Sequence, residues 1–205
     1  MKTSSGKVGP GPNYFSSSAN NVWVDAQGRL HLKITKDKGR WYCAEIVLNG
    51  TLGYGSYRFI LDNPVDALDP NAVLGLFTWN DAPDYNHREI DIEFSRWGSA
   101  TNLNAQYVVQ PYTDTANIVR FDEPAGIAQS THSFRWLQGS VEFHSYRGTP
   151  LAPGADIRVW TLSGASTPPT SGENARMNLW LFQGHPPSDG RDVEVIVNRF
   201  EFVPG

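Results

Sequence analysis

The sequence predicts an all-β fold, a two-sheet antiparallel β-sandwich of the jelly-roll type, with residues 1–205 forming a single domain. Three observations carry this expectation. The chain has 205 residues, a length that all-β sandwiches commonly reach around one core. Its composition is rich in Gly (19), Pro (14) and aromatics (12%), and only 19% of residues are charged. No window shows the long Ala/Leu/Glu/Lys stripe of an amphipathic helix, so helix should be scarce. Short alternating polar and apolar runs recur between turn signals, and a chain of such strands without intervening helices closes as a sandwich or jelly roll.

The elements follow in order. Residues 1–13 are rich in Gly, Pro and Ser and read as an irregular arm. Strands are expected at 30–34, 54–61, 73–79, 88–94, 105–109, 141–146, 157–162, 177–182 and 193–203, several alternating as half-buried strands do. Stretches 62–71 and 163–173 break the rhythm, with Pro64, Pro70, Pro168 and Pro169, and should be surface loops. Cys43 has no partner for an intrachain disulfide and reads as a buried, inert thiol.

Charge narrows the function. Lys and Arg number 17 against 21 Asp and Glu, a net charge of -4, and the basic residues are scattered. No phosphate-tracking stripe for nucleic acid exists. No apolar stretch approaches the roughly 20 residues that cross a bilayer, and the first residues lack the apolar core of a signal peptide. A neutral ligand suits this surface, with no nucleic-acid or membrane partner and a monomeric chain.

The segment Glu89-Ile90-Asp91-Ile92-Glu93 carries the chemistry. Side chains alternate across a strand, so His87, Glu89, Asp91 and Glu93 share one face while Ile90, Ile92 and Phe94 take the core face. Successive acids are then roughly 6.8 Å apart at Cα. A self-repelling row raises at least one pKa and costs stability unless the shifted group is useful. Glycosidases need one ionised carboxylate and one protonated carboxyl, about 5 to 5.5 Å apart in retaining enzymes. Glu89 and Glu93 are roughly 13 Å apart at Cα on an ideal strand. Their side chains must lean together for retention, and spacing leaves the stereochemistry open. The aromatic residues supply rings for sugar faces, Trp79, Trp97, Tyr107, Tyr112, Trp136, Trp160 and Trp180 among them. Any single one is more often core than cleft, and Trp136 and Trp160 are expected in the core.

Several ordered motifs extend the signal. Cys43-Ala44-Glu45 is followed by Leu52-Gly53-Tyr54-Gly55-Ser56-Tyr57, then Gly75-Leu76-Phe77-Thr78-Trp79, the acid segment, Ala105-Gln106-Tyr107, Thr131-His132-Ser133-Phe134-Arg135-Trp136 and Met177-Asn178-Leu179-Trp180. Together they resemble glycoside hydrolase family 16, the lichenase, laminarinase and xyloglucan-active group, through most of the chain. The resemblance implies a curved jelly roll whose concave sheet binds a polysaccharide in an open carbohydrate-binding cleft. It also implies endo-type cleavage with retention, a β-1,3/1,4-glucan type of substrate being favoured, and transglycosylation as a competing outcome. It makes Glu89 the nucleophile, Glu93 the general acid/base and Asp91 their tuner, and it places Glu45, Trp79, Gln106, Asn178 and Trp180 along the cleft. His87 is expected to tune the nucleophile or touch sugar, and Trp97 to wall a subsite. No catalytic metal and no cofactor are expected; a structural calcium ion is known among relatives.

The chain departs from the family at two points. Val47 stands where lichenases have an arginine, and Val108 and Val109 stand at positions that are polar or aromatic there. Relatives also begin with a further aromatic-rich segment and a signal peptide, implying secretion or periplasmic export and a truncated start or trimmed gene model here; if the missing segment is a strand, one sheet edge would be exposed. A non-catalytic, lectin-like sugar-binding protein is the competing reading, and three acids in register favour the enzyme.

Overall fold

The computed structural model describes residues 1–149 and 151–205. Among them are fourteen strands and three single 3-10 turns. The strands are β1 (Tyr14–Phe15), β2 (Val22–Val24), β3 (Leu30–Asp37), β4 (Arg40–Val47), β5 (Gly55–Leu61), β6 (Ala72–Trp79) and β7 (Ile90–Phe94). The remainder are β8 (Ala105–Val109), β9 (Ile118–Phe121), β10 (Ser130–Leu137), β11 (Ser140–Arg147), β12 (Asp156–Ser163), β13 (Asn174–Leu181) and β14 (Val193–Pro204). The expected all-β jelly roll is found.

Hydrogen bonding orders the strands β12-β11-β10-β5-β14-β3-β4-β13-β6-β7-β8-β9. The path folds over at β3. Its first half, Leu30–Ile34, pairs with β14, whereas Thr35–Asp37 pairs with β4. This switch joins an outer sheet ending at β12 to a second sheet running from β4 to β9. The inner faces meet through aromatic side chains: Tyr107 of β8 stacks on Phe143 of β11 at 4.7 Å between centroids, and Phe94 of β7 meets His132 of β10 at 4.6 Å. Trp136, Tyr57, Phe59 and Phe134 complete a solvent-free centre. Each aromatic buries a large apolar area and prefers such offset or edge contacts.

Trp136 is in the core as expected, its Nε1–H donating to the Pro168 carbonyl at 3.0 Å, and Trp160 packs on Phe143. Cys43 is fully buried, and burial pushes its thiol up to about 12, so it is inert. The two expected loops lie between β5 and β6 and between β12 and β13.

Two expectations are corrected. The strand expected from residue 88 begins at Ile90, because Tyr85, Asn86, His87 and Arg88 all adopt positive φ of 52° to 62°. The edge that a missing strand would leave exposed is covered by β1 together with the arm. Phe15 and Tyr14 pair in parallel with Cys43 and Tyr42 of β4, and the Lys2 N–H donates to the Glu45 carbonyl at 3.0 Å. Backbone donors that would otherwise meet solvent or another chain are thus satisfied.

Candidate active site

The register of the second sheet assembles the site on its face away from the core. Glu45, Asn178, Gly75, Glu93, Gln106 and Arg120 stand side by side on β4, β13, β6, β7, β8 and β9. The next row down the strands holds Val47, Arg176, Phe77, Asp91 and Val108. Antiparallel neighbours in such a row are close enough for side-chain contact. Two residues along every strand lies the next site residue, while Ile90, Ile92 and Phe94 point into the core with no exposure.

Glu89 precedes β7 in extended conformation, its N–H held by the Asn86 carbonyl at 3.3 Å. Thr78, fully buried, pins this corner: its hydroxyl donates to the Arg88 carbonyl at 2.8 Å and accepts from the Ile90 N–H at 3.2 Å. The left-handed turn lifts His87 off the acid face. Its ring stacks on Trp79 at 4.0 Å and 9°, and its Nδ1 lies 2.9 Å from the Asn80 carbonyl oxygen. His87 therefore buttresses a cleft aromatic instead of standing in line with the acids.

Glu89, Asp91 and Glu93 floor a cavity of about 490 Å³, walled by Trp79, Phe77, Arg176, Asn178, Trp180 and Glu45. All three carboxyls titrate above the ordinary range. Burial and then the charge of Glu93 push Glu89 up to about 8, opposed by a hydrogen bond from Asp91 and by Arg176. Asp91 rises well above its usual value through burial and the charges of both glutamates, while Gln110 Nε2 donates to it at 3.0 Å. Glu93 rises through burial, restrained by the 2.5 Å bond from Gln106 Nε2 and by the positive charge of Arg120. Protonated Asp91 is the donor between itself and Glu89. Mutual repulsion and desolvation thus keep the three from ionising together.

The sequence candidates divide into those at the cavity and those behind it. Glu45, Trp79, Asn178 and Trp180 line it as expected. Asn178 is 3% exposed, and its Oδ1 is buried over Gly75 without a partner. Gln106 stands behind Glu93 as its hydrogen-bond donor. Trp97 is not at this cavity: it lines a separate hollow with Phe182 and His185, with Arg120 4.8 Å above its ring. The site also has members that were not singled out in the sequence. Arg176 pairs with Asp81 at 3.1 Å and Glu45 at 3.6 Å. It occupies the alternation shared by Asn178 and Trp180, the signal that identifies it. In the sheet it stands directly beside Val47.

Lys2, Gly9 and Pro10 of the arm line the same cavity at its β4 end, and Lys2 Nζ lies 3.1 Å from Glu45.

No protein-family model and no curated protein matches this sequence. Solved structures do. A β-glucanase of Bacillus licheniformis aligns with a TM-score of 0.63 at 20% identity, over 94% of this chain and 90% of that one. A β-1,3-glucanase from Mycobacterium marinum aligns with a TM-score of 0.69 at 16% identity, over 93% and 81%. A Mycobacterium tuberculosis protein called an immunostimulatory antigen and pseudo-β-1,3-glucanase aligns with a TM-score of 0.68 at 18% identity, over 94% and 82%. Over nearly its whole length, the chain has the jelly-roll fold of these β-glucanases.

Proposed function

We propose that the chain is a retaining glycoside hydrolase that cleaves a β-linked glucan by double displacement. The observation that carries this reading is the row Glu89, Asp91, Glu93 on the cavity floor, with every carboxyl raised and each held by a different partner. The names of similar structures, a β-1,3-glucanase and a β-1,3-1,4-glucanase (lichenase) among them, favour a β-1,3- or β-1,3-1,4-glucan.

Glu89 acts as nucleophile. Its carboxylate attacks the anomeric carbon as Glu93 gives its proton to the departing glycosidic oxygen, leaving a glycosyl ester on Glu89. Asp91 donates a hydrogen bond to Glu89 and positions it. Beyond burial, the charge of ionised Glu93 raises Glu89, so the two carboxyls share a proton. When Glu93 holds it as the acid, that charge is gone and Glu89 can ionise and attack; esterification then takes Glu89 out of the pair and leaves Glu93 free to ionise. Glu93 then takes a proton from water, whose oxygen attacks the same carbon and releases Glu89 with the starting configuration restored. Gln106 and Arg120 keep Glu93 from rising so far that it could not serve as a base. Trp79 and Trp180 offer faces for sugar rings.

The test is hydrolysis of laminarin and lichenan by reducing-end release, with the anomer of the first product followed by proton NMR. Glu89→Ala is expected to abolish turnover and leave a folded, glucan-binding protein. Near-normal turnover in that variant would overturn the assignment, and an inverted anomer would overturn double displacement. One similar structure is called a pseudo-glucanase, which favours binding without turnover as a second reading. Binding to every glucan with no product from any of them would establish it.

A further inference from the structure

The arm does more than cover a strand edge. Its backbone docks on β4 through the Lys2 N–H to Glu45, and the Ser4 N–H donates to the Phe15 carbonyl at 3.1 Å. It then turns back over the sheet face, closed by paired bonds between Val8 and Asn13 at 2.8 and 3.0 Å. Asn13 Nδ2 donates to the Leu181 carbonyl at 2.8 Å and to the Pro10 carbonyl at 2.9 Å, clamping the turn to the end of β13. Lys2 Nζ reaches Glu45 and also donates to the Gly9 carbonyl at 2.6 Å, so one ammonium ties the tip of the turn to the cavity wall. Both ends of the turn and its tip are therefore anchored.

We infer that this arm is a fixed wall that ends the cleft on the β4 side, so that one fragment of every cleaved chain has a set, short length. The inference rests on the hydrolase reading. From the acids on β7, the cleft crosses β6 and β13 to β4, where Lys2, Gly9 and Pro10 stand. Three strand spacings of roughly 4.8 Å give roughly 14 Å, the length of about three β-linked hexose units. A fourth ring on that side meets the arm. On the other side the sheet continues through β8 and β9, with Gln106 and Arg120 in the same row as Glu93. The chain is thus held by one end, with cleavage a fixed number of units inward, in place of the cuts at internal positions that an open groove allows. Glu45 is part of the wall's anchor, since its carboxylate meets both Lys2 and Arg176.

The experiment uses end-labelled β-glucan oligosaccharides of increasing length and maps the cut by mass spectrometry. In the full chain the cut is expected about three units from one end, whatever the substrate length, and the label shows which end faces the arm. Two variants move the wall in opposite directions. Gly9 lines the cavity, and a Cβ placed there meets nothing within 4 Å, so Gly9→Phe fills the cavity and should shorten the fixed fragment by one unit. Removing residues 1–12 should release longer fragments and spread the cuts. Cuts scattered along long oligosaccharides in the full chain would overturn the wall, as would an unchanged cut position in folded Gly9→Phe. No cleavage of any oligosaccharide by the full chain would instead refute the hydrolase reading.

Discussion

Replacing Glu89 by Gln should make the protein more stable at neutral pH while removing its activity. The folded state holds the Glu89 carboxyl at about 8 against an ordinary 4.5, through burial and the charge of Glu93. A raised folded pKa means the folded chain binds more protons than the unfolded one between those values. Its stabilising contribution is whole below pH 4.5 and is lost as pH rises through 8. At pH 7 the unfolded chain has released this proton and the folded one has largely kept it, which costs folding at most about 3 kcal/mol at 1.36 kcal/mol per unit. Proton sharing with Asp91 and the favourable charge of Arg176 both enter that limit. A glutamine keeps the size and a carbonyl that accepts from Asp91, but it never ionises. Urea titration at pH 4.5, 7 and 9 should show the variant near the wild type at pH 4.5 and more stable at pH 7. For a chain of this size each kcal/mol moves Tm by about 2 to 4 °C. A difference between the two proteins that does not change with pH would refute the linkage argument.

Other outcomes follow from the same geometry. A Cβ at Gly75 would come 2.5 Å from Asn178 Oδ1, so Gly75→Ala should push the Asn178 side chain into the cavity it lines and lower kcat/KM by about tenfold to hundredfold, mostly through KM, as steady-state kinetics would show. Gln106→Leu takes away the donor that favours ionised Glu93, so its pKa should climb further and the alkaline limb of the kcat/KM profile should move to higher pH. An unmoved limb would mean that Glu93 is not the acid. Glu123 is 3% exposed and neither carboxyl oxygen has a partner; burial, then the charge of Asp66, pushes it up to about 8. Glu123→Gln should therefore flatten the fall in stability between pH 5 and 8 in denaturation experiments without changing the pH optimum of activity.

The fold was legible because its strands are driven by burial with a period of two. Ile90, Ile92 and Phe94 are fully buried, and their alternation alone puts Asp91 and Glu93 on the opposite face. Asn178 and Trp180 follow in the same way. His87 was misplaced because the alternation was carried one step too far back. The turn that ends it is built from Tyr85, Asn86, His87 and Arg88, and four non-glycine residues at positive φ leave no glycine signature. The part played by Lys2 depends on a contact with Glu45 across 43 positions, which no local pattern encodes. Gln110 shares its face with Gln106, yet its bond to Asp91 depends on the register between β7 and β8. Trp97 sits in a loop, where periodicity says nothing about destination.

The division of β7 into an apolar and an acidic side has a consequence for how the chain reaches its native pairing. A slip of one residue between β7 and its neighbours would turn Asp91 and Glu93 toward Tyr107 and Phe94's present surroundings and expose both isoleucines to water. Burying unpaired carboxylates costs several kcal/mol each, and this adds to what the displaced apolar side chains lose in water. The acids therefore penalise wrong pairings during folding, and a chain that has paired β7 correctly has, by the same act, aimed its acids at the cleft. Neutral replacements at Asp91 and Glu93 would weaken that check, with misfolded chains rising in refolding yields even where the native state gains stability.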